Sequence, residues 1–204
     1  MVQAGGVEDL CAVNTDTKRQ RIQRMNQFPV PVRNEVSPNN QVIFDSLQAG
    51  LGFVPNLYAA IAYSTHGLGT YLHLQNAKTS LSKKEKEVVN LVVSQENDCR
   101  YCQSAHTVLG KMNGLSDEQI LEIRQGTALF NPKLDALVRF TKEVTAQKGR
   151  LSAATLDAFF AAGYTRESVV DVIIAIADKV VMNYLHNLTE VPIDFPLAPE
   201  LETV

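Results

Sequence analysis

The chain has no apolar run near the roughly 20 residues that a membrane-spanning helix needs, so no membrane role is expected of it. It has no excess of positive charge. Its 19 Lys and Arg stand against 22 Asp and Glu, giving a net charge of -3 and a pI near 5.8, which argues against a dedicated nucleic-acid binder. The N-terminus lacks the apolar core of a secretory signal, and Glu8, Asp9 and Asp16 interrupt the acid-poor pattern of an organellar transit peptide, so a cytoplasmic location is expected. Cysteine is scarce, three in 204 residues. A chain of this length buries about 70% of its unfolded surface and needs no disulfide staples. In a reducing compartment a close cysteine pair is expected to be catalytic or metal-binding. Alternating strand patterns are missing as well, which makes the fold class all-α, a single helical domain.

What is present is a series of capped, apolar-striped segments. Residues 1–27 are polar and weakly periodic, and are expected to form a mobile arm or a short frayed helix. Residues 28–190 form the helical domain, and Pro192, Pro196 and Pro199 make 191–204 an extended tail. Within the domain, Ser37-Pro38 reads as an N-cap with proline at the first helical position, opening a helix with Val42, Ile43, Leu47 and Leu51 as its apolar residues. Pro55 starts another, and His66-Gly-Leu-Gly69 interrupts it or joins it to the next. Ser82-x-x-Glu85 and Ser116-x-x-Gln119 are capping boxes. Asn131-Pro132, Leu151-Ser152 and Thr165 open three more helices, the last rich in Val and Ile from Val169 to Val181. Its length favours helix over strand despite the β-branched run.

The chemistry concentrates between Glu96 and His106, where the chain reads Glu-Asn-Asp-Cys-Arg-Tyr-Cys-Gln-Ser-Ala-His. Two cysteines three residues apart are either a redox pair or part of a metal site. On one helix Cys99 and Cys102 lie about 60° apart with His106 between them in angle. His106 follows Cys102 by one turn, within reach of its sulfur. With Asn97 or Asp98 as the cap, Cys99 falls in the first turn, where free N–H groups and the helix dipole favour a thiolate. A thiolate that attacks a peroxide becomes a sulfenic acid, and a second thiol resolves it to a disulfide that an external thiol reopens. Zinc is the rival: Cys99, Cys102 and His106 supply three ligands, but no second pair follows, and His66, His73 and His186 stand outside any finger spacing. The blandest alternative is two buried cysteines with no chemistry. Cys11, far from any acid–base partner, reads as a bystander. Glu96 is the carboxylate nearest the pair in sequence, whereas Glu87 sits in a Lys/Glu run that by itself reads as a solvated face.

Glu87, eleven residues, then Cys99-x-x-Cys102-x-x-x-His106 resembles the active-site signature of the AhpD-like alkylhydroperoxidases of the carboxymuconolactone decarboxylase superfamily. The phrases Leu81–Ser94 and Gly114–Glu118 are similar too, and the resemblance covers roughly residues 55–130. It implies an AhpD-like helical bundle that assembles as a homo-oligomer (dimer, trimer or hexamer). It implies that Cys102 attacks the hydroperoxide, that Cys99 resolves, and that His106 and Glu87 relay protons. It implies a thiol reductant, a lipoyl protein or a thioredoxin-like partner, and calls for no organic cofactor or metal. The family's decarboxylase branch lacks the cysteine pair. In the AhpD pattern a histidine precedes the second cysteine, and here that place holds Tyr101. The expectation is a thiol-dependent hydroperoxide reductase, an antioxidant enzyme. The alternatives are a thiol–disulfide oxidoreductase or redox sensor without peroxide turnover, and a zinc-binding module.

Overall fold

The computed structural model of the chain describes residues 20 and 23–201, so Cys11 and most of the N-terminal arm lie outside the described residues. A 3-10 turn at Arg33–Glu35 leads into α1 (Pro38–Leu51), α2 (Asn56–Ile61), α3 (Gly67–Gln75), α4 (Lys83–Glu96), α5 (Arg100–Met112), α6 (Asp117–Gln125), α7 (Pro132–Ala146), α8 (Ala153–Ala161) and α9 (Arg166–Thr189). No strand occurs among the described residues. The capping chemistry of the sequence sets these boundaries. Ser37, Ser82, Ser116, Asn131, Ser152 and Thr165 each accept a hydrogen bond from a backbone N–H of the first turn that follows. Such caps are typically worth about 1 kcal/mol each.

The organising element is α4, which packs against α5, α6, α7 and α9. Val88, Val89, Leu91, Val92 and Val93 are all buried, so the helix is apolar nearly all round, as a helix enclosed by others must be. Each of these side chains contributes about 1.5–3 kcal/mol by leaving water. They join Leu137, Val138, Phe140, Phe159 and Val172 in the largest core cluster, where the Phe159 ring stacks between Phe140 and Tyr164. A second cluster encloses Cys99, Tyr101 and Cys102 with Leu57, Tyr71 and Met182.

Two local expectations change. The apolar face of α1 is only partly the one the spacing indicates: Ile43 and Leu47 are half-buried, but Val42 is 64% exposed and Leu51 55%, while Asn40 and Phe44 are buried. Asn40 turns inward because its side-chain amide donates to the carbonyls of Ala62 and Ser64, both at 3.0 Å, and so satisfies the turn between α2 and α3. The motif helix also starts later than expected. Asn97 ends α4, Asp98 takes a left-handed conformation at φ 48, and Cys99 itself is the N-cap of α5. Asp tolerates that conformation better than most residues, which lets the three-residue link Asn97-Asp98-Cys99 reverse the chain between the helices.

The extended tail after α9 lies across α2 and α5. Asp194 accepts from the Asn56 backbone N–H at 2.7 Å, the Ala198 N–H donates to Ser104 Oγ at 3.1 Å, and buried Arg124 donates to the Pro199 carbonyl at 2.8 Å.

Candidate active site

The α4–α5 link delivers both cysteines to the interior with their thiols free. As N-cap, Cys99 accepts the Cys102 backbone N–H on its sulfur at 3.4 Å, which fixes the two side chains on one side of the turn. The neighbourhood is braced from α9: Asn97 Nδ2 donates to Asn183 Oδ1 at 3.0 Å, and Asn187 Nδ2 to the Asn97 carbonyl at 2.8 Å. The sulfurs share protons unequally. The hydrogen bond from Cys99 holds the Cys102 thiol below its ordinary value against the cost of burial, and the Lys179 cation adds to this. Cys99 is pushed up, first by donating to Cys102 and then by burial. Cys102 is therefore the more readily ionised thiol of the pair and Cys99 the more firmly protonated one. The dipole argument taken alone favours Cys99; the proton shared with Cys102 and the nearby cation reverse it.

His106 lies one turn after Cys102 on α5 and is buried. Its Nδ1 is 2.7 Å from Glu87 Oε2 on α4. Burial disfavours the Glu87 charge, but His106 beside it keeps the carboxyl below its ordinary value, with Asn90 and Lys179 assisting. A carboxylate only accepts, so Nδ1 carries the proton and Nε2 keeps a lone pair. Burial first, and Lys179 second, hold the imidazole pKa below its ordinary value, so it is neutral near pH 7 and available as a base. Glu87 is 9% exposed rather than solvated, because α9 lies along that flank and brings Asp178 and Lys179 there. Glu96, the carboxylate closest in sequence, pairs instead with Lys142 at 3.7 Å, away from the thiols.

Cys102 opens onto a cavity of about 470 Å³ whose walls are largely aromatic and apolar, with Phe53, Tyr58, Tyr71, Tyr101, Met182 and Phe195 among them. His106 and Lys179 are the basic side chains lining it. A second cavity, about 290 Å³, also has His106 in its lining, together with Glu87, Asn90 and Asp178. His106 thus lines both cavities, and the second is the one that carries carboxylates. Tyr101 is a wall and an anchor: its hydroxyl donates to Asp194 at 2.7 Å and its ring packs edge-on against Phe195. Burial, and next the Asp194 carboxylate, push its pKa up, so it stays neutral. No group of three or more His, Cys, Asp or Glu side chains among the described residues is arranged to hold a metal ion.

Lys179, Asp178 and Asp194 were not among the residues singled out from the sequence. The first two carried a signal, a charged pair inside the Val/Ile-rich stretch Val169–Val181, where charge has no place unless it is used or paired. Asp194 in the proline-rich tail carried none.

Residues 64–143 match the carboxymuconolactone decarboxylase family. No curated protein matches by sequence. Among solved structures, the alkylhydroperoxidase AhpD core of an uncharacterized peroxidase-related protein from Ralstonia eutropha JMP134 is similar with a TM-score of 0.74 at 20% identity, over 82% of this chain and 91% of that one. An uncharacterized peroxidase-related protein from Silicibacter sp. TM1040 gives 0.70 at 20% identity, over 81% and 88%. The debrominase Bmp8 gives 0.64 at 16% identity, over 77% and 87%. At these identities the structural likeness is one of fold.

Proposed function

Through residues 64–143 the chain belongs to the carboxymuconolactone decarboxylase family, on an AhpD-like all-helical fold, and on that footing we propose that it is a thiol-dependent reductase of organic hydroperoxides. The observation that carries this reading is the asymmetry of the pair: a buried Cys102 at a ligand-sized cavity, its thiol held below its ordinary pKa, with the more firmly protonated Cys99 three residues away and a carboxylate-oriented imidazole one turn along.

His106 Nε2 takes the Cys102 proton, and Glu87 stabilises the imidazolium while it lasts. The Cys102 thiolate attacks the terminal oxygen of the hydroperoxide, the O–O bond breaks, and Cys102 becomes a sulfenic acid. The Cys99 thiol then displaces that hydroxyl as water and closes the disulfide. A dithiol donor reopens it by exchange. The apolar walls favour a hydroperoxide with a bulky organic group over hydrogen peroxide. Both cysteines are buried, so a slender dithiol arm, as on a lipoyl protein, reaches them more readily than the surface of a folded partner does.

Self-association belongs to the same proposal. On α9, Val170, Ile173, Ile174, Val181, Tyr184 and Leu188 are all exposed. At 100° per residue they fall within about 100° of arc, a continuous apolar stripe that a second copy of the chain would cover.

The test is peroxide consumption by purified protein with a panel of reductants (lipoyl protein, thioredoxin, glutathione), beside the two single-cysteine variants. Cumene hydroperoxide turnover that needs both cysteines supports the reading. Turnover of disulfides without peroxide, or disulfide formation without turnover, points instead to an oxidoreductase or a sensor.

A further inference from the structure

When Cys102 attacks a hydroperoxide, the departing oxygen leaves as an alkoxide and needs a proton. His106 is poorly suited to supply it, because burial and a neighbouring cation both disfavour its imidazolium. The cation is Lys179. It lies in the middle of α9 and is only 2% exposed. An ammonium is costly to bury unless it is matched by other charges or has something to do. Its ion pair with Asp178 is long, 3.8 Å from Nζ to Oδ2, beyond hydrogen-bonding distance, so the ammonium keeps donors to offer. It lines the same cavity as Cys102 and His106.

We propose that Lys179 is a catalytic residue of the peroxide step, whose ammonium hydrogen-bonds the departing oxygen inside the Cys102 cavity and gives it a proton. The inference rests on the peroxidase reading. The step balances: the Cys102 thiolate, the hydroperoxide and the Lys179 ammonium become a Cys102 sulfenic acid, an alcohol and a neutral Lys179 amine. A buried ion pair is converted into two uncharged groups, so no charge is left in the apolar chamber after the O–O bond breaks. Once the disulfide has been reduced, His106 takes the Cys102 proton and passes it to the Lys179 amine, which restores the ammonium.

The groups facing Lys179 are consistent with this. Tyr58 of α2 and Tyr71 of α3 are held protonated by burial, and their hydroxyls are engaged with Gln75. That leaves Glu87 of α4, Cys102 and His106 of α5, and Asp178 of α9 itself as the ionisable neighbours. Burial works against the Lys179 charge, but Asp178 and the Cys102 thiolate more than restore it, so the ammonium is charged at neutral pH.

The test uses leaving groups of different basicity on pre-reduced full-length protein, so that no reductant enters. Stopped-flow oxidation by tert-butyl hydroperoxide, which releases a strongly basic alkoxide, is compared with oxidation by peracetic acid, which releases acetate and needs no acid. Lys179→Met is expected to slow the first by about 100-fold, the usual scale of a general acid, and the second by far less. Any loss of thiolate slows both alike, and so does any unfolded fraction, so the ratio isolates the leaving group. Lys179→Arg, which keeps the charge but does not yield its proton, is expected to shift the ratio in the same direction, and it serves if Lys179→Met does not fold. An unchanged ratio in these variants, with wild-type protein reacting, overturns the role of Lys179 and leaves the peroxidase reading standing. Wild-type protein inert to both oxidants overturns the peroxidase reading itself.

Discussion

Cys102→Ser is expected to abolish peroxide reduction, whereas Cys99→Ser still consumes one equivalent and stops at a sulfenic acid that dimedone traps, as mass spectrometry will show. Glu87→Gln keeps the shape of the side chain but no longer fixes the proton on Nδ1 of His106, and kcat/KM is expected to fall roughly 100-fold. The pair also sets an acid limit on stability. His106 titrates below its ordinary 6.5 in the folded state, so its stabilising contribution is complete above that pH and is lost as pH falls, the unfolded chain taking up the proton first. Glu87 titrates below its ordinary 4.5, so its contribution is complete above 4.5 and is lost as pH falls through the folded value. Thermal melts are therefore expected to weaken from about pH 6.5 downward and again below about 4.5. His106→Asn should flatten the upper limb, and Glu87→Gln the lower. The cysteines and His106 were legible because they lie in one short stretch. Glu87 was legible only through the resemblance. The side it turns inward is covered by α9, some 90 residues further along the chain, and no local pattern records that.

At the level of elements, Tyr101 takes the place where the AhpD pattern has histidine, and it ties the motif helix to the tail. Tyr101→Phe removes the hydrogen bond to Asp194 and is expected to cost about 1.5–3 kcal/mol, the range for a bond to a charged group, in chemical denaturation. It should also speed proteolysis of the segment around Asp194–Pro199 while leaving both thiols reactive. The helices themselves were readable from capping residues, because a cap acts over three or four positions. The orientation of α1 was not. Asn40 is buried for the sake of two carbonyls more than 20 residues away, and apolar spacing is blind to such a requirement. The cap at Cys99 escaped for a similar reason. Asn97 and Asp98 have the side chains of N-caps, but the reversal out of α4 uses them up, and the duty passes to a sulfur.

For the whole molecule, the exposed stripe on α9 predicts a native mass that is a multiple of 22.5 kDa by light scattering. Val181→Glu, at the centre of the stripe, is expected to reduce that mass toward the single chain. The stripe and the catalytic lysine lie on the same helix, so α9 would serve both the assembly and the site. The Val/Ile run of α9 is only partly core: Val172 and Ile176 are buried, while Val170, Ile173 and Ile174 stand in the open. The central claim is that Cys99 and Cys102 form a peroxide-driven redox pair with Cys102 as the attacking thiol. The most direct test is intact-protein mass spectrometry with tryptic mapping after one equivalent of cumene hydroperoxide is added to reduced wild-type protein. The account predicts the loss of two hydrogens and a Cys99–Cys102 disulfide, and a sulfenic acid on Cys102 in the Cys99→Ser protein. Oxidation that first appears on Cys99, or proceeds unchanged in Cys102→Ser, would contradict it.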